Sequence, residues 1–364
     1  MTMEKRLFLL DGMALIYRAH FALITRPIFN SRGMNTSAIY VFTQTLLDVI
    51  NNQKPTHIAI AFDTAAPTQR HRDFAEYKSQ RQEMPEDLSA AIPHVMRMVQ
   101  AFNIPILTCD GYEADDIIGT VVCRAKKEGF VSYMVTPDKD FGQLVDDNVF
   151  IYRPSRMGDA AEIYGVPEIL EKWGIDRPEQ VIDILALWGD ASDNIPGVPG
   201  IGEKTASKLI REYGSVENLL ANTSSIKGKL RENLEAHREM ALLSKKLATI
   251  MLDVPCEFDL ESLKLQPPNV PMLKELLAEF EFRTLTRRLF PDEGDVPIPA
   301  ATASPAETAQ LGFDMEIPET PSAPLKARNE VPHDYRVLTN AEEAKAALDE
   351  LRQQTRFAFH LTTE

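Results

Sequence analysis

Cysteine is scarce: three in 364 residues, Cys109, Cys123 and Cys256, far apart and without a CxxC pair. That argues against a disulfide framework and against a thiolate zinc site. No apolar run is long enough to span a membrane. The N-terminal apolar run is interrupted by Asp11 and Arg18 and makes a poor signal peptide. A reduced, cytoplasmic protein with no membrane contact is expected. Positive charge is also short, with 39 Lys and Arg against 54 Asp and Glu, net −15. Global charge therefore cannot attract nucleic acid, and any such contact must come from local basic patches. The deficit is uneven. Residues 291–364 hold 14 acids against 6 bases, and residues 1–290 hold 40 against 33.

Nine of those acids account for much of the pattern. Asp11 closes one apolar run and Asp63 another. Glu113, Asp115 and Asp116 lie in Gly-Tyr-Glu-Ala-Asp-Asp-Ile-Ile-Gly, and Asp138 and Asp140 in Val-Thr-Pro-Asp-Lys-Asp-Phe. Asp190 and Asp193 precede a glycine-rich stretch. Carboxylates at strand ends face one crevice in an open α/β sheet. Gathered there, they repel one another unless hard cations fill the space. Two such ions suit phosphodiester cleavage. Taken singly, each group reads more readily as helix capping than as catalysis; together they exceed it, because capping needs one acid per helix and not three.

Strands are expected at 6–11, 57–62, 104–108, 131–135 and 149–152, and helices at 13–22, 36–51, 87–101 and 114–128. This alternation predicts an α/β fold, a mostly parallel sheet with helices on both faces, over residues 1–175. Residues 176–290 predict a helical subdomain. Residues 291–332 contain 8 of the 24 prolines and read as a flexible linker. Residues 333–364 begin a further α/β pattern too short to bury a core.

Two segments suggest nucleic-acid contact. In Gly197-Val-Pro-Gly200-Ile-Gly202-Glu-Lys204, close glycines can turn backbone N–H groups toward a phosphate ahead of a helix. Lys204, Lys208 and Arg211 then share a helix face; the bland reading is a Pro-Gly turn. Ile226-Lys-Gly-Lys-Leu230 reads as a second, weaker anchor or as a solvated turn. Residues 68–84 carry Arg70, Arg72, Phe74, Tyr77, Lys78 and Arg81. A helix there would set an aromatic row beside a basic row, either for stacking and phosphate contact or as an amphipathic face with both rings in the core.

Together these motifs resemble the 5′-nuclease domain of bacterial DNA polymerase I, in the flap endonuclease family. The resemblance covers residues 5 to 290. It rests on Leu-Asp-Gly with Tyr17-Arg18-Ala19, Phe62-Asp63, Tyr77-Lys78 with Arg81, Glu113-Ala-Asp-Asp116, Asp138-Lys-Asp140 and Gly189-Asp-Ala-Ser-Asp-Asn-Ile-Pro-Gly-Val-Pro-Gly-Ile-Gly202. It implies a PIN-like core with a helical arch near 68–100 and a helix-hairpin-helix at 197–202. It implies two or more Mg²⁺ or Mn²⁺ ions, one on Asp11, Asp63, Glu113 and Asp115. The other falls on Asp115, Asp138, Asp140 and Asp193, with Asp116 and Asp190 nearby. Tyr77, Lys78 and Arg81 would meet the scissile phosphate. Arg18, Arg70, Arg72, Phe74, Gly197, Gly200, Gly202, Lys204 and Lys208 would contact DNA, with K⁺ at the hairpin. The implied partners are DNA with 5′ flaps, nicks or RNA primers, acted on by a monomer that is part of a longer polymerase. Residues 333–364 resemble the opening of a proofreading exonuclease domain, but His360-Leu-Thr362 stands where that family has Asp-x-Glu. No 3′–5′ exonuclease activity is expected.

Two alternatives compete. A phosphatase with an aspartyl nucleophile at Asp11 would carry a second Asp at the position of Met13. A non-catalytic DNA-binding module would lack some of the nine carboxylates, and none is missing.

Overall fold

In the computed structural model, residues 4–154 and 161–291 are described. The chain divides into two units, 1–298 and 299–364. The expected linker beyond residue 291, the truncated domain at 333–364 and the His360–Thr362 motif lie outside the described residues.

Strand β1 (Arg6–Asp11) is apolar on both faces. Phe8 and Leu10 enter one core and Leu7 and Leu9 the other, so helices must cover both sides. Strand β2 (His57–Ala61) divides likewise: Ile58 and Ile60 face the first core, Ala59 and Ala61 the second. With β3 (Ile106–Leu107), β4 (Val131–Val135), β5 (Val149–Arg153) and β6 (Glu162–Tyr164), they form one sheet in the order β3-β2-β1-β4-β5-β6. All neighbours run parallel except β6, which pairs antiparallel with β5.

Helices α1 (Gly12–Ala22), α2 (Ser37–Asp48) and α4 (Glu86–Ala101) cover one face, and α5 (Ala114–Lys127) covers the other. The short α3 (Gln69–Asp73) lies between α2 and α4 in sequence. The second face continues into α6 (Val166–Trp173), α7 (Gln180–Trp188), α8 (Glu203–Tyr213), α9 (Val216–Ala221), α10 (Lys229–Ala236) and α11 (Arg238–Ala248). Helices α12 (Val270–Glu279) and α13 (Arg283–Leu289) return to the first face.

Three expectations need correction. The helix expected over 36–51 ends at Asp48 and gives way to a π-helical turn, Val49–Gln53. Strand β6 was not foreseen. Residues 68–84 do not form one helix: α3 stops at Asp73, and turns follow through Gln80. Lys78 takes a left-handed φ of +58°, which no helix admits. Tertiary bonds decide the shape of this stretch. The Lys78 N–H donates to the Asp193 carbonyl (2.9 Å) and the Asn194 side chain to the Glu76 carbonyl (2.7 Å).

Candidate active site

The strand order reverses at β1, whose neighbours are β2 and β4. Connections leave in opposite directions there, which opens a crevice at the carboxyl ends of the strands. Asp11, the last residue of β1, is 8% exposed. Its carboxylate caps α1 through the Ala14 N–H (3.1 Å) and accepts from the Thr136 hydroxyl (3.0 Å). Burial, with Asp138 and Asp63 close by, pushes its pKa up to about 7. Asp63, two residues past β2, accepts from the Ala114 N–H (2.8 Å) at the start of α5.

That helix start holds three acids in different states. Glu113 is buried and accepts from the Lys78 ammonium (2.8 Å) and the Tyr77 hydroxyl (3.1 Å). Asp115 is partly exposed; burial, opposed by Arg70 and reinforced by Asp116 and Glu113, raises its carboxyl well above the usual range. Asp116 differs, and here the metal-ligand expectation is corrected. It is fully buried and receives both guanidinium nitrogens of Arg70 (2.7 and 2.8 Å), the Glu113 N–H (3.1 Å) and the Met251 N–H (2.8 Å). Its oxygens are saturated by protein donors, so it anchors rather than ligates. Arg70 is corrected with it. Its exposure is 3%, and it also donates to the Leu247 and Thr249 carbonyls (both 2.9 Å), so it cannot reach DNA. The bidentate pair ties α5 to the end of α11.

Across the crevice, Thr136 accepts from the Asp138 N–H (3.1 Å), and Asp138 accepts from the Asp140 N–H (3.0 Å). Both carboxyls are raised by loss of water: Asp138 further by Asp193 and Asp190, Asp140 further by Asp138 and Asp190. Asp190 takes the Lys139 ammonium (2.8 Å) and the Ser192 N–H (2.8 Å). Asp193 receives Arg81 (2.7 Å) and the Tyr77 hydroxyl (2.9 Å), with Lys78 at 3.6 Å. Burial works against its charge, but Lys78 and Arg81 outweigh it and hold the carboxyl below the usual range. The Tyr77 phenol is raised by burial and then by Glu113 and Asp193, so it stays protonated and donates.

Whether this donor set suits a metal can be judged from its chemistry. Every candidate ligand is a carboxylate oxygen, the class hard divalent cations prefer. Asp140 Oδ1 is buried without a hydrogen-bond partner among the described residues. Asp11, Asp115, Asp138 and Asp140 all resist ionisation in the protein alone. These observations fit divalent cations. The arrangement is not a closed cage: among the described residues, no three His, Cys, Asp or Glu side chains are placed to hold one ion together. Lys78, Arg81 and Lys139 instead stand on Glu113, Asp193 and Asp190.

The remaining expected contacts divide. Gly197 is buried, has φ +62° and donates its N–H to Ser244 (3.0 Å). A Cβ there would stand 2.4 Å from the Gly189 nitrogen. Its glycine serves chain packing and not DNA, which corrects the expectation. Gly200, Gly202, Lys204 and Lys208 are exposed at the start of α8. Gly228, in the weaker anchor, directly precedes α10 with φ +68°. Arg72 is exposed, whereas Phe74 is half-buried and packs against the core. Arg18 donates to the Pro154 carbonyl (2.9 Å). Sequence reasoning missed Thr136, Lys139 and the Arg70–Asp116 pairing. Only Thr136 and Lys139 carried a signal, their position beside Asp138.

The 5′–3′ exonuclease N-terminal resolvase-like domain matches residues 6–174, and the 5′–3′ exonuclease C-terminal SAM fold matches residues 176–271. The chain is 44% identical over 289 residues to DNA polymerase I of Bacillus caldotenax, covering 79% of this chain and 32% of that protein. It thus spans about a third of the length of such polymerase relatives. It is 37% identical over 285 residues to a 5′–3′ exonuclease of Aquifex aeolicus, covering 78% of this chain and 95% of that one. Among solved structures, the bacteriophage T5 D15 flap endonuclease with DNA and metal ions aligns with a TM-score of 0.57 at 22% identity, over 76% of this chain and 99% of the other. The catalytic core of Rad2 with DNA substrate aligns at 0.55 and 17% identity, over 79% and 92%. These two establish the fold alone. On the family matches and the polymerase and exonuclease relatives, the chain belongs to the 5′–3′ exonuclease family, enzymes that cleave phosphodiesters.

Proposed function

We propose that this chain is a structure-specific 5′ nuclease, a 5′–3′ exonuclease and flap endonuclease that removes RNA primers and displaced 5′ flaps as part of a DNA polymerase I. One observation carries the reading. Acids from the ends of β1, β2 and β4 and from the start of α5 meet at the sheet's switch point, beside the cations of Lys78 and Arg81. Asp11, Asp63, Glu113, Asp115, Asp138, Asp140 and Asp193 would hold Mg²⁺ or Mn²⁺, with Asp190 beside them. Such ions supply an activated water and neutralise the developing charge of an in-line displacement.

The chain's own part is positional. Lys78 and Arg81 are paired to carboxylates in the free protein. Glu113 and Asp193 would be among the residues holding the ions, and Lys78 and Arg81, on the turn beside them, would meet the phosphate oxygens, where charge develops. Tyr77, protonated and held between the two acids, keeps the turn in place. Gly200, Gly202, Lys204 and Lys208 would contact the duplex backbone, with K⁺ among the hairpin carbonyls. The product ends are a 5′-phosphate and a 3′-hydroxyl. The protein would act as a monomer in the bacterial cytoplasm; no helix among the described residues is long and apolar enough to cross a membrane. The assignment is tested by Asp115→Asn: cleavage of a 5′-flap DNA should fall by at least about 100-fold, the loss typical of removing an electrostatic catalytic group. DNA affinity should stay within about threefold. Undiminished turnover would refute it.

A further inference from the structure

A second group of cations stands beside the acidic crevice, at the β5–β6 edge of the sheet. It gathers Lys139, Arg153 and Lys172 with Tyr164, Trp173 and Trp188. The Arg153 guanidinium lies 4.7 Å from the Tyr164 ring centre, and the Lys172 ammonium lies 5.7 Å from Tyr164 and 6.0 Å from Trp173. Lys139 lies 4.8 Å from Trp188, which meets Trp173 edge-on at 6.5 Å. Rings hold these cations in place but neutralise none of their charge.

Only Lys139 has a carboxylate, Asp190. Among the described residues, no acid comes within 4.0 Å of the charged nitrogens of Arg153 or Lys172. Arg153 donates to the Pro137 carbonyl at 3.4 Å, while its Nε is buried with no partner among the described residues. Lys172 is exposed. Its ammonium is pushed below the usual lysine range by partial loss of water, then by Arg153 and Lys139; Glu203 and Glu162 only partly offset them. Two like charges held together with no acid in ion-pair reach among the described residues favour an anion.

We infer that Arg153 and Lys172 form a phosphate-binding subsite for a nucleic-acid strand leaving the crevice on the β4–β5–β6 side. The group abuts the catalytic strand end directly, because Arg153 holds Pro137 and Lys139 separates Asp138 from Asp140. A backbone phosphate is the anion that a strand crossing this edge presents, and it would accept from both side chains. This subsite rests on the nuclease reading above.

The test uses a fluorescein-labelled 5′-flap duplex bound in EDTA, with anisotropy read over a range of salt. Lys172→Glu should weaken binding by about five- to tenfold, and the slope of log affinity against log salt should become shallower by about one. Arg153→Gln should move both in the same direction. Lys127→Glu, an exposed lysine at the end of α5, makes the same change in net charge and should leave both near wild type. Lys172→Glu indistinguishable from Lys127→Glu, with wild type binding normally, would overturn the subsite alone. A wild-type protein that binds no flap DNA would overturn the nuclease reading and the subsite with it.

Discussion

At the residue scale, the nine acids are not equivalent, and their surroundings sort them. Asp116 has protein donors on every face and belongs to the scaffold. Removing Arg70 as Arg70→Ala leaves that carboxylate buried without its counter-charge. A loss of about 3–5 kcal/mol is expected, read as a lower denaturant midpoint; a midpoint near wild type would show the pair to be dispensable. Asp11 behaves in the opposite sense. Its folded-state pKa, about 7, lies above the ordinary 3.8. The native state therefore binds more protons than the unfolded chain between those values. The contribution of Asp11 to metal-free stability is highest at the acid end of this window and falls as pH rises through it. Asp11→Asn removes that cost. In EDTA at pH 8 it should stabilise the protein by on the order of 2–4 kcal/mol, and the gain should vanish near pH 4. Thermal melts across pH decide this, and a variant less stable than wild type at pH 8 would contradict it.

At the element scale, the glycine stretch separates into two functions. Gly197 has a positive φ and a backbone contact that no side chain tolerates, whereas Gly202 has ordinary φ and nothing within 4 Å of a built Cβ. Gly197→Ala should cost more than about 3 kcal/mol. Gly202→Ala, at the N-cap of α8, should cost no more than about 1 kcal/mol and register in DNA affinity. Equal stability losses in the two would show that the hairpin is purely structural. Sequence alone revealed the parallel strands, because β1, β2 and β4 are apolar runs ended by acids. Strand β6 escaped notice: three residues, two of them exposed, carry no periodic signal. Residues 68–84 were misread because Phe74 with Tyr77, and Lys78 with Arg81, have helical spacing. What shapes them is Asp193 and Asn194, more than a hundred residues away. The Arg70–Asp116 pair spans 46 residues, and the Lys139–Arg153–Lys172 group spans 33, so no local pattern announces either.

At the scale of the whole molecule, one unit carries both the site and its support. The family match ends at residue 271, yet α12 and α13 continue past it and bury Leu273, Leu276, Leu277, Phe280, Phe282 and Leu285 against α2 and α4. Six such side chains contribute roughly 1.5–3 kcal/mol each, comparable to the total stability of a domain. A chain truncated after residue 271 should therefore lose its cooperative melt; a melting temperature within a few degrees of the full chain would contradict this. Acidity sits in the crevice and beyond residue 290, while exposed cations stand at Lys172 and at the start of α8. The most direct measurement incubates the protein with a double-flap DNA labelled at its 5′ end, in Mg²⁺ and, as control, in EDTA. The account predicts one short labelled product cut at the flap junction, dependent on the metal. Tight binding with no cleavage in either Mg²⁺ or Mn²⁺ would contradict it.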